Sequence, residues 1–227
     1  MKNLIVALIV CFTIYSCNER IVQLPETTNS EIVEVFDVSP IYIFYNDETG
    51  GAEFNRNNMI GSTNWLVNID KRLTLAQILP HLQYLQEKRN KDSIHKNENA
   101  RNYFSCSNQE IQNLAFIDFT EVEYINEHSF NYYSKISQID TTSKIEIQFK
   151  SPSEIGLIAP NSGLLTYYSN IKKLIEDLEN QYLDKKRELI VSFYDSISFQ
   201  SYISLKSELL NMKNKKLEIN NQEFIHN

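Results

Sequence analysis

The chain has 227 residues and a formal net charge of −7, so no basic stripe is available to follow a phosphate backbone, and nucleic acid is not an expected partner. Five glycines and five prolines exclude collagen-like repeats and long disordered tracts. The length suits one large domain or two small ones, each with a real core.

Taken in order, the chain opens with Lys2 as a positive flank and an uncharged apolar run from Leu4 to Ile14. A bilayer span needs about 20 apolar residues, so this run is too short to cross and has the length of a signal-peptide core. Ile14-Tyr15-Ser16-Cys17 follows, with an aliphatic residue three before the cysteine and a small one directly before it. This stretch resembles the lipobox of bacterial lipoproteins. The resemblance implies that residues 1–16 are a signal peptide removed by a peptidase. It also implies that Cys17 is lipidated: diacylglycerol on its thiol and a further acyl chain, such as palmitate, on its amine. Two or more acyl chains give stable attachment, each buried methylene contributing roughly 0.8 kcal/mol. The membrane is therefore an expected partner through Cys17. The expected location is the periplasmic face of the inner or outer membrane, with the cell surface as an open alternative. Only Glu19 supplies an acid before Arg20, so the acidic run that directs some lipoproteins to the surface is absent.

Residues 17–35 read as a lipidated tether. The part up to Ser30 carries Pro25, Thr27, Thr28 and Asn29 and little apolar material, and is expected to let the body stand off the membrane. The body divides into a first half over 36–142 and a second over 143–227. Ile41–Tyr45 and Trp65–Ile69 are rich in β-branched and aromatic residues and predict strands. Thr74 and Gln77 form a capping box, with Leu73 and Ile78 as a staple, ahead of a helical repeat at Ile78, Leu79, Leu82 and Leu85. Pro80 is expected to kink this helix. Residues 90–102 read as an exposed loop and Leu114–Phe119 as a strand, which Glu121–Ile125 extends or pairs back against. A polar, tyrosine-bearing connection runs from Ser129 to Thr142.

In the second half, Ile145–Phe149 alternates as a half-buried strand does. Leu164, Tyr168, Ile171, Leu174, Ile175, Leu178 and Tyr182 lie on one stripe of a long helix. Leu189–Tyr194 is almost continuously apolar, as a strand covered on both faces is. Ser198 caps a third helix with Phe199, Tyr202, Ile203, Leu209 and Leu210 inward, and Leu217–Ile219 closes as a short strand. The fold class is α/β or α+β, a layered sheet with helices in two loosely related halves. The stretch from Lys144 to Asn220, with Val191-Ser192-Phe193-Tyr194-Asp195 and Ser198-Phe199-Gln200-Ser201-Tyr202-Ile203, resembles the periplasmic domain of the ExbD/TolR biopolymer transporters. That family also carries a membrane helix with a proton-relaying aspartate. Leu4–Ile14 has none, so the resemblance implies a transport accessory role without the motor.

The candidate chemistry is sparse. Asp70 and Asp195 follow apolar strands, a common site position in α/β sheets, and Asp118 lies within another strand. His95 and Cys106 could serve as base and nucleophile. With Cys11 in the signal and Cys17 acylated, Cys106 has no disulfide partner, and its aromatic neighbours Tyr103 and Phe104 predict burial. His81, His95, His128 and His226 show no metal-ligand spacing, and neither metal nor cofactor is expected. Tyr132, Tyr133, Tyr167 and Tyr168 either fill the core or present a partner face. The reading is a lipid-anchored envelope protein acting as a non-catalytic binding or assembly component on an envelope protein partner. The rival reading is an envelope hydrolase using Asp70, His95 or Asp118. A flat aromatic patch would favour the first, and a convergent polar pocket the second.

Overall fold

The structure is a computed structural model and describes residues 20–91, 97–136, 143–160, 163–182, 185–212 and 216–227. The chain is mixed α/β, with two multistranded sheets that enclose helices and share one core. The first sheet has the order β2-β1-β3-β4-β5. Its strands are β1 (Val38–Tyr45), β2 (Ala52–Asn55), β3 (Asn64–Ile69), β4 (Asn102–Asn108) and β5 (Asn113–Asp118). Helix α1 (Leu75–Asn90) links β3 to the parallel β4. The second sheet runs β6-β11-β10-β7-β8-β9. It contains β6 (Glu123–Ile125), β7 (Lys144–Ser151), β8 (Glu154–Ile158), β9 (Leu165–Tyr168), β10 (Arg187–Tyr194) and β11 (Leu217–His226). Its helices are α2 (Ser129–Ser134), α3 (Ile171–Gln181) and α4 (Phe199–Leu210). Although β6 and α2 precede residue 143, β6 pairs with β11 through Tyr124 and Glu223.

The two halves repeat one plan. Hairpin β1–β2 corresponds to β7–β8, β3 to β10, α1 to α4 and β4 to β11, in the same spatial order and with the same parallel pairings. The second half adds β9 and α3 where the first has only a loop. A local two-fold relation runs between Thr74 and Ser198, which form an isolated antiparallel bridge. Each is the N-cap of its helix. The N–H of Leu75 donates to the carbonyl of Ile197 (2.9 Å), and that of Phe199 to the carbonyl of Leu73 (2.6 Å). One residue further in, Ala76 donates to Asp195 (2.8 Å) and Gln200 to Lys71 (3.2 Å). The first N–H groups of a helix have no partner within it, and here each helix start is completed by the other half.

Helices α1 and α4 lie between the sheets. Phe199 and Tyr202 of α4 meet Phe104 of β4 edge-on, and Tyr202 also meets Phe193 of β10. On α1, Gln83 donates to the Tyr124 carbonyl across the gap (3.2 Å). The expected capping box is present: the Thr74 N–H donates to Gln77 (2.9 Å), and the helix continues through Pro80. Arg89, near its end, is buried, and no carboxylate pairs with it among the described residues. Its guanidinium stacks 3.7 Å from the Trp65 ring and donates to Asn102 and to the Gly61 and Thr63 carbonyls.

Several expectations are corrected. The stretch expected as a tether over 17–35 is, from Arg20 onward, laid on the body. Ser107 of β4 donates to Pro25 (2.8 Å) and accepts from Thr27 (3.0 Å), which places the strap beside β4 past the end of its pairing with β3. The strap also bonds α4, through Glu26 to Gln200 and Thr27 to Ser207. The polar run that looked like a linker is polar because it ladders onto backbone and side-chain partners. Within 90–102, expected as loop, Asn102 opens β4. The helix expected from Leu164 begins only at Ile171, behind the N-cap Asn170, and Leu165–Tyr168 is strand β9. Glu123–Ile125 neither extends β5 nor folds back on it, but joins the other sheet. Residues 129–134 of the expected polar connection are helical. The last strand runs to His226, and Leu210 is exposed.

Candidate functional site

Alternation along the strands decides what the second sheet shows to the outside. On β10, Leu189, Val191 and Phe193 point into the core, so Glu188, Ile190 and Ser192 face out. Beside them, by register, stand Lys144, Glu146 and Gln148 of β7, then Ile158 and Gly156 of β8, then Leu165 and Tyr167 of β9. Helix α2 covers part of this face, where Tyr132 and Tyr133 pack on Phe224 of β11 at 5.5 Å between centroids. Among the described residues the strands towards β9 have no such cover: Leu165 and Tyr167 are exposed. Between α2 and the β8–β9 turn lies a groove of about 400 Å³, walled by Phe130 and Tyr133 on one side and by Ile158, Ala159 and Pro160 on the other.

Glu146 forms the polar centre of the floor. One of its oxygens accepts from Ser129 (2.6 Å), Ser192 (2.9 Å) and Gln148 (3.0 Å). Both serine hydroxyls therefore donate to a carboxylate, not to an imidazole that could activate them as nucleophiles. Lys144 is held at the rim by Glu188 (3.2 Å) and by the Tyr133 ring (4.3 Å). Phe130 on the groove wall is 79% exposed, and Tyr167, outward on the neighbouring β9, is 67% exposed. Tyr168, one residue on, is buried. The four tyrosines thus divide by strand alternation and helix face. A Cβ on Gly156 would stand 3.0 Å from the end of the exposed Leu165 side chain, which would have to shift to admit it.

The structure spreads the other candidates apart. Asp70 is fully buried at the end of β3. Its oxygens accept from the Arg72 guanidinium (2.9 and 3.0 Å), the Arg72 N–H (3.1 Å) and the Gln23 N–H (3.2 Å). Burial alone would raise its pKa; the hydrogen bonds from Arg72 and Gln23 outweigh this and hold it below the usual carboxylate range. Asp70 is thus a structural clamp on the loop into α1 and on the strap. Asp118 pairs with Arg101 and accepts from Thr120 at the end of β5. Cys106 is buried, and desolvation pushes its thiol up to about 12, where it is neither nucleophile nor ligand. His95 lies outside the described residues, as does Cys17. Among the described residues no three His, Cys, Asp or Glu side chains gather as a metal site, and no helix is long and apolar enough to cross a membrane.

One pair was invisible in the sequence because 98 positions separate its members. His128, the N-cap of α2, stacks on His226 of β11 with centroids 3.6 Å apart. The Nε2 of His226 is buried with no hydrogen-bond partner among the described residues. Burial first, then the neighbouring His128, lower its pKa against the opposing pull of the Asn227 carbonyl, Glu146 and Asp195. Burial lowers that of His81 as well. A histidine depressed in the folded state binds its proton more readily when unfolded. The stability it contributes is complete above the ordinary value of 6.5 and is lost as pH falls below it through the folded pKa. The expected result is a melting temperature that drops by a few degrees from about pH 7.5 to about pH 5.5. The drop should be smaller in His226→Gln, and an unchanged slope in that variant would remove His226 from the account.

Comparison with protein-family models, with curated proteins and with solved structures gave no match. The reading of the groove therefore stands on its geometry.

Proposed function

We propose that this is a lipid-anchored cell-envelope protein that acts as a non-catalytic binding component, and that its envelope partner docks an extended segment along β9. The observation that supports this reading is the open outer face of the second sheet. Strand β9 pairs only with β8 among the described residues, and its outward side chains Leu165 and Tyr167 stand in register with Ile158, which walls the groove, and with Gly156. A free strand edge offers main-chain hydrogen bonds, and adjoining apolar pockets select side chains. Glu146 would orient a polar group of the partner at the floor. Cys17 would hold the protein at the membrane where that partner lies.

In vivo photocrosslinking tests this. A photoreactive residue at Tyr167 should capture a discrete protein that the same residue at Lys172 on α3 does not. Leu165→Lys should abolish the capture. Cys17→Ala should release the protein from the membrane fraction, or leave the precursor uncut, and weaken the capture. Equal yields at the two positions, or full capture by Leu165→Lys, would remove the groove from the reading. Unchanged fractionation of Cys17→Ala, with no acyl mass on the N-terminal peptide, would remove the anchor.

A further inference from the structure

In an anchored protein, the gap between lipid and body is set by the chain between the acylated residue and the first residue fixed on the fold. Among the described residues, the first one held on the fold is Arg20. Its guanidinium pairs with Glu53 of β2 at 2.7 Å and lies 5.8 Å from the centre of the Phe44 ring on β1. The next contacts follow without slack: Gln23 bonds Asp70 and Lys71, and Pro25 and Thr27 ladder onto β4. Three peptide units separate Cys17 from Arg20, a reach of about 10 Å when fully extended.

We infer that the outer face of the first sheet, at the end where Arg20 lies, is held directly against the headgroup layer of the bilayer. This rests on the acylation of Cys17 proposed above. The chemistry of the face fits that place. Ile41 and Ile43 point into the core, so Tyr42 and Phe44 point outward, stacked 5.5 Å apart. Ile21, next to Arg20, is 74% exposed. Aromatic rings beside an arginine suit the interface between acyl chains and water. Among the described residues that line the surface at this end, two cations, Arg20 and Arg72, stand against three carboxylates, Asp47, Glu48 and Glu53, and Arg72 also pairs with the buried Asp70 beneath. Such a balance gives no attraction to anionic lipid. The acyl chains and the apolar side chains hold the face in place, so the contact is insensitive to salt.

The test uses the full-length protein taken from its membrane and reconstituted in phosphatidylcholine vesicles with nitroxide on a fraction of the headgroups. Cys106 is buried and Cys17 is capped, so one added cysteine carries a fluorescent dye. Glu48→Cys reports on the Arg20 end, and Lys172→Cys on α3 reports on the other half. The mass of the N-terminal peptide is read from the same sample. The expected result is an acyl mass, with quenching several-fold stronger at position 48 than at 172. Inserting about a dozen Gly/Ser residues after Asn18, roughly 20 Å of added reach, should bring position 48 down towards the level of 172. An acyl mass with equal quenching at both positions, or an insertion without effect, overturns the apposition and leaves the anchor standing. A soluble protein without acyl mass overturns both.

Discussion

Replacing Val191 by aspartate should leave no folded protein. Val191 is 1% exposed in the middle of β10 and has Ile147 of β7 on one side and Glu223 of β11 on the other. Side chains paired across adjacent strands lie about 5 Å apart, so the new carboxylate would sit beside an existing buried one. An unpaired buried charge costs several kcal/mol, and a like charge adjacent to it adds more. A domain of this kind has a net stability of only about 5–15 kcal/mol. The check is expression, solubility and circular dichroism on heating. A soluble Val191→Asp protein that melts cooperatively would show that this position is not in the core.

The second large effect lies next door. Lys206 of α4 is 7% exposed and Glu223 is 3% exposed, and the two form a buried ion pair. The other carboxylate oxygen accepts from Tyr202 (2.6 Å), whose oxygen lies 3.2 Å from that of Tyr124 on β6. Desolvation, followed by the charge of Glu223, raises both phenols well above their ordinary values, so they stay neutral donors. Lys206→Met should destabilise by about 3–5 kcal/mol, because Glu223 is left buried without its cation. The double variant Lys206→Met with Glu223→Gln should recover much of the loss, since no charge is then stranded. Urea unfolding of the two single variants and the double variant measures this. A Lys206→Met protein as stable as the parent would mean that the carboxylate is hydrated or protonated.

This network also shows where the sequence could be read and where it could not. The inward stripe of α4 at Phe199, Tyr202, Ile203 and Leu209 was legible from helical spacing. Lys206 falls on the same stripe, and a lysine there is the one sign that a buried acid waits opposite. Central strand β10 was legible because Leu189–Tyr194 is almost continuously apolar. Strand β4 was not, because its buried positions include Asn102, Ser105 and Asn108. Asn102 is buried to receive the Arg89 guanidinium, and no periodicity reports such a partner. Strand β9 was hidden by coincidence: its apolar residues continue the spacing of α3, and only Asn170 marks where the helix starts. The end of β11 was hidden by a register shift between Ile219 and Glu223, which Asn220 and Asn221 made look like a strand end. The groove depends on strand order, which brings β8 and β9 beside β7 and α2 over β10 and β11. No local pattern encodes that order.

The reciprocal completion of the two helix starts bears on how the chain comes together. When α1 first forms, the N–H groups of Leu75 and Ala76 are without partners until the loop carrying Asp195 and Ile197 arrives, more than a hundred residues later in the chain. The converse holds for Phe199 and Gln200. Neither half is finished alone, although each has its own sheet. These bonds couple the stability of the two halves, and forming them carries the entropy of closing so long a loop. Translation exposes the first half before the second exists, so a chaperone able to shield that unfinished edge has a window in which to act.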